Sequence, residues 1–131
     1  MIDWNKTVVV DVDDTISTHY NRDYENAVPH LDVIAKLNKM YDAGYRIVYF
    51  TARGMLSCNG DVAKIEAERG PVLRDWMARH GVKYHELQFG KPLGIMYIDD
   101  KAVNVRDFMT MEIGELKGGL SGANVSREGD V

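Results

Sequence analysis

Thr7-Val8-Val9-Val10-Asp11-Val12-Asp13-Asp14-Thr15 opens as a β-branched run and closes on three carboxylates and a hydroxyl. Four such residues in a row read as a fully buried strand. Side chains alternate faces along an extended chain, so Asp11 and Asp13 point the same way and Val12 the other. Two like charges side by side repel. They are kept together by something positive between them, usually a divalent cation, which takes oxygen ligands. Open α/β sheets carry their chemistry at the carboxyl ends of strands, where this cluster lies.

Working outward, residues 17–27 are polar and aromatic without a period and read as an ordered loop or small flap. Pro29 suits the first turn of a helix. Leu31, Ile34, Leu37 and Tyr41 follow at helical spacing until Gly44. A second buried strand over 45–50 ends in Thr51-Ala52-Arg53-Gly54, and 55–60 form a loop. Asp61 caps a short helix to Arg69, which Gly70-Pro71 breaks. A further helix carries Val72, Leu73, Trp76 and Met77 on one face, with Trp76 and Met77 in the core, and stops at Gly81. Short strands fit 82–84 and 86–89. Gly90-Lys91-Pro92 is a turn. Residues 94–98 read as another buried strand, ending in Asp99-Asp100, and a short helix follows over 102–109. This order predicts an α/β fold: a Rossmann-like, mostly parallel sheet with helices on both faces.

The chain has 131 residues, 45% apolar and 27% charged, enough for one domain with a real core. We place that domain at 1–116 and read the Gly- and Ser-rich 117–131 as a flexible tail. A net charge of −4 argues against a general nucleic-acid binder, though not against binding a nucleotide or a nucleic-acid end. The single cysteine, Cys58, fits a reducing compartment. Without a signal peptide or a membrane-length apolar run, a cytoplasmic protein that makes no membrane contact is expected. His80 and His85 match no metal-binding spacing, and Gly90-Lys91 lacks the preceding glycine of a P-loop.

Reactive polar groups thus stand at four strand ends or following turns: Asp11 with Asp13, Thr51, Lys91, and Asp99 with Asp100. This set resembles the haloacid dehalogenase (HAD) superfamily of aspartate-nucleophile phosphohydrolases, whose first motif is matched by Asp11, Asp13 and Thr15. Thr51, Lys91 and the Asp99-Asp100 pair match the second, third and fourth motifs. Closer still is the resemblance to small phosphatases of bacterial capsule biosynthesis. It runs through Tyr24-Glu25-Asn26-Ala27-Val28-Pro29, Phe50-Thr51-Ala52-Arg53, Phe89-Gly90-Lys91-Pro92 and Tyr97-Ile98-Asp99-Asp100-Lys101-Ala102. Asp14 departs from the glycine many members carry, but Asp tolerates tight-turn conformations.

The resemblance implies a Mg²⁺-dependent phosphomonoester hydrolase that works through an aspartyl-phosphate. Asp11 is the expected nucleophile and Asp13 the acid and base. Thr51 would bond a phosphoryl oxygen and Lys91 would offset its charge. Mg²⁺ would sit among Asp11, the Asp13 carbonyl, Asp99 and Asp100. Thr15 and Arg53 are candidate substrate contacts, Arg53 having pairing with an acidic neighbour as its other reading. Tyr20, Arg22 and Tyr24, beside His19, are flap candidates. The intervals between motifs leave no room for a large cap domain, so an open site would take a bulky substrate or be closed by a second copy in a homo-oligomer. The substrate is a phosphorylated small molecule, with a sugar phosphate of capsule or polysaccharide synthesis as the first reading and a nucleotide or polynucleotide end as the alternative. A receiver-type phospho-signalling module and an inactive binding domain are the readings of another class. The receiver is disfavoured because its phosphorylated aspartate ends an internal strand, where this chain has Thr51.

Overall fold

The computed structural model of the chain describes residues 1–113. The expected tail lies outside them. Strand β1 (Thr7–Val10) pairs in parallel with β4 (Arg46–Thr51), which pairs in parallel with β5 (Glu86–Phe89), giving the order β1-β4-β5. Between β1 and β4 the chain forms a two-residue antiparallel ladder, β2 (Ser17–Thr18) with β3 (Val28–Pro29), then helix α1 (Leu31–Asp42). Helix α2 (Val62–Arg79) connects β4 to β5, and α3 (Val105–Thr110) follows. The fold is therefore the expected α/β arrangement, a small, mostly parallel sheet flanked by helices, with no cap domain among the described residues. No described helix is long and apolar enough to cross a membrane.

One core joins these layers. Val10, Val12 and Ile16 from the first strand and its turn meet Ile47 and Tyr49 of β4, Leu37 and Met40 of α1, and Leu73, Trp76 and Met77 of α2. Helix α1 ends as expected, with Gly44 at φ +99°, a conformation that costs glycine nothing. Lys36 of α1 donates to the Phe108 and Met111 carbonyls, tying α3 to the body.

Five expectations on secondary structure are corrected. The β1 run is not fully buried: Val10 packs into the core, while Val9, on the opposite face of the strand, is 63% exposed. Pro29 does not open a helix. It pairs with Ser17 in the short ladder, where a missing N–H is tolerated. Residues 82–84 form no strand, and only Glu86–Phe89 does. Gly70-Pro71 does not divide α2, which is one helix with Pro71 inside it. An interior proline costs about 3 kcal/mol. Ile65 before it and Leu73 and Met77 beyond it are buried on a shared face, at about 1.5–3 kcal/mol each, and this outweighs the break.

The fifth correction concerns 94–98, which form no strand. Ile95 and Ile98 are 97% and 92% exposed. Contacts near in sequence hold this segment instead. The Tyr97 hydroxyl donates to the Pro92 carbonyl at 2.5 Å, and the Lys91 ammonium lies 4.3 Å from the Tyr97 ring centre.

Candidate active site

Just past β1, the chain turns sharply. The Thr15 and Ile16 amides both donate to the Val12 carbonyl, and the Asp14 amide donates to the Ser17 carbonyl. Val12 is driven fully into the core, so its neighbours Asp11 and Asp13 face the other way. Asp14 takes φ +65°, the tight-turn conformation expected of it.

Each of the two carboxylates has its own cation. Lys91 Nζ lies 3.2 Å from Asp11 Oδ1, while Thr15 Oγ1 donates to Asp11 Oδ2 at 3.0 Å. Lys91 reaches this place because its amide donates to the Thr51 carbonyl, which fixes the turn after β5 against the end of β4. Arg53 grips Asp13 from two sides, Nη2 to Oδ1 at 2.7 Å and Nε to Oδ2 at 3.3 Å. The Arg53 side chain is only 2% exposed, so this charge pair is screened little by solvent. Of the two readings of Arg53, the structure therefore shows the acidic partner. His19 Nδ1 stands 3.4 Å from Asp13 Oδ1, and its ring lies 4.5 Å from that of Tyr24.

Above these pairs opens a cleft of about 520 Å³. Asp11, Asp13, Arg22, Tyr24, Arg53 and Lys91 line it, so six of the eleven residues singled out from sequence converge. Five do not line it. Thr15 supports Asp11 from behind. Thr51 is fully buried, its hydroxyl accepting from the Arg53 amide at 3.0 Å, so it shapes the turn that carries Arg53. Tyr20 is exposed and outside the lining.

Asp99 and Asp100 stand apart because the strand meant to carry them is a loop. Asp99 accepts from the Lys101 amide at 2.8 Å, and Asp100 pairs with the Lys101 ammonium at 2.9 Å. Among the described residues no three His, Cys, Asp or Glu side chains gather as a metal site. Mg²⁺ commonly uses only one or two protein carboxylates and fills its shell with water and substrate phosphate. Asp11 and Asp13 offer hard oxygens of that kind.

Sequence reasoning missed Arg69, which lines the cleft with Ser57 and Tyr97. Its guanidinium lies 5.6 Å from the Tyr24 ring centre, and Arg53's lies 4.2 Å from the same ring. The available signal was spacing: Arg69 is four residues beyond the buried Ile65, one turn along the same inward face. A second recess, of about 590 Å³, lies at the opposite ends of the strands beside Lys6, Arg46 and His85, with no paired carboxylates.

A crystal structure from Vibrio cholerae, known only as that of an MCSG target, superposes on this chain with a TM-score of 0.80. The two are 38% identical, and the match covers 85% of this chain and 93% of the other. No family model and no curated protein matches the chain.

Proposed function

This chain belongs to the same family as the Vibrio cholerae protein, and from the cleft at its strand ends we propose that it is a phosphomonoester hydrolase of the HAD superfamily. The observation that carries the proposal is the joining of Asp11 to Lys91 and of Asp13 to Arg53 in one cleft beyond the carboxyl ends of a parallel sheet. Two carboxylates with unlike environments, both exposed to one cavity, are the arrangement a nucleophile and an acid–base partner need.

In this reading Asp11 attacks phosphorus and the ester P–O bond breaks. Asp13 gives the departing oxygen its proton. Water then attacks the phosphoryl group on Asp11, its proton passing to Asp13, and phosphate and the Asp11 carboxylate are restored. Thr15 holds Asp11 Oδ2, which fixes the carboxylate's direction of attack. Lys91 offsets charge as it builds on the phosphoryl oxygens. Each Asp13 oxygen accepts one bond from Arg53 and keeps a second lone pair, where the proton of this step can sit. Mg²⁺ belongs to the same proposal: the Asp11 carboxylate and the Asp13 carbonyl would hold it, and the Asp99–Asp100 pair would join them when it binds. It would supply neutralisation of phosphate charge.

Release of phosphate from a generic aryl phosphate tests this directly. Wild type should turn over with Mg²⁺, lose activity in EDTA, and lose it wholly as Asp11→Asn, since an amide is a very poor nucleophile. Undiminished turnover by Asp11→Asn would refute the mechanism, and inactivity on every ester in a broad panel would refute the hydrolase. Sugar phosphates come first in that panel, with nucleotides second.

A further inference from the structure

Positive charge exceeds negative in the cleft, and the excess is localised. Arg22, Arg53, Arg69 and Lys91 line it against Asp11 and Asp13, four cations to two carboxylates. The surplus of two stands in a chain whose net charge is −4. Lys91 is committed to Asp11, and Arg53 binds Asp13 through Nε and Nη2. The remaining Arg53 nitrogen, Nη1, is buried and without a partner. So is Nε of Arg69, whose Nη2 donates to Ser57 Oγ at 3.2 Å. Burial closes both of these atoms to a ligand in the cleft. The ring of Tyr24 lies beneath both groups, at 4.2 and 5.6 Å. It offers its face to each cation but accepts neither free N–H in the plane of the guanidinium.

Arg22 and Arg69 line the cleft without an ion pair to any described carboxylate, and such guanidiniums favour a second acceptor with negative charge and oxygens in a plane or fork, such as a carboxylate or another phosphate. We propose that the substrate carries a second anionic group, held at the cleft wall by the guanidinium groups of Arg22 and Arg69, and that Arg69 is the residue that selects for it. The inference rests on the phosphomonoesterase reading for the first group, and it deepens that reading by naming the substrate class as doubly anionic.

Binding, not turnover, tests it. The full chain is titrated by calorimetry, in Mg²⁺, with unreactive phosphonates. One series is phosphonoacetate and its longer homologues, a second is methylenediphosphonate and its longer homologues, and the third is alkylphosphonates of matched length. A member of the first or second series should bind about tenfold or more tightly than its alkyl match, the scale of one charge-assisted hydrogen bond. Which series wins identifies the second group as carboxylate or phosphate. Arg69→Gln should erase the preference and Arg69→Lys should restore part of it, with circular dichroism confirming both folds. Equal binding across the series, no binding by any member, or a preference that survives Arg69→Gln overturns the proposal. An inactive protein that keeps the preference refutes only the hydrolase, and an active one without it refutes only the second-anion site.

Discussion

Asp13 stands between Arg53 and His19, and that crowding sets its expected sensitivity. Asp13→Asn keeps the shape and removes the proton carrier. Turnover should fall by roughly 10²-fold, the scale of general acid–base catalysis, and by less for esters with good leaving groups. Equal losses for good and poor leaving groups would show that Asp13 acts only by holding Arg53. Gly90, next to Lys91, has φ +93°, and a Cβ there would lie 2.9 Å from Val62 Cγ2. Gly90→Ala should therefore cost about 1–2 kcal/mol in urea unfolding from the backbone alone, and lower turnover further by displacing Lys91 from Asp11. At this scale much was legible in sequence. Asp11, Asp13, Arg53 and Lys91 sit at strand ends or the turns after them, where local pattern fixes direction. Thr51 misled because the same local pattern suits a hydroxyl turned inward to an amide. Arg69 was hidden by the misplaced break in its helix.

For the elements, the decisive contest is between local breakers and shared burial. Gly70-Pro71 is a strong stop signal, yet α2 passes through it because its buried face continues on both sides. Pro71→Ala restores a missing amide donor and removes the ring's clash with the preceding turn. It should raise unfolding free energy by about 1–3 kcal/mol, the loss of proline's chain restriction offsetting part of the gain. A lowered thermal midpoint would mean that the proline's ring is itself needed for packing. The same contest went the other way at 94–98. Its apolar content reads as a strand, but its bonds are made to Pro92 and Lys91 close by. Periodicity cannot see such short-range competitors. Strands β4 and β5 were easier, and their register carries its own charge pair, Arg46 with Glu86. The Gln88 hydrogen bond first, then Arg46, holds the Glu86 carboxyl below its usual range, so the pair's contribution is present near neutrality and fades as pH falls through that lowered value.

Taken whole, the molecule keeps two things apart that its sequence suggested would meet, the Asp11–Asp13 turn and the Asp99–Asp100 pair. Their meeting requires 94–98 to leave its loop. Amide hydrogen exchange with and without Mg²⁺ reads this, and slower exchange at 95–98 on adding the ion is the expected outcome. Unchanged exchange would leave the cation on Asp11 and Asp13 alone. The parallel sheet order was legible because each helix must cross between neighbouring strands. The size of the sheet was not, since it depended on one segment's choice between near and far partners. The exposed side of β1 has a colloidal consequence. A strand margin with Val9 outward, in a chain that also displays Ile95 and Ile98, offers amides and carbonyls to any extended peptide it encounters. Turbidity on warming should then rise steeply with protein concentration, and Val9→Lys should suppress it, as charge on an open margin repels incoming strands.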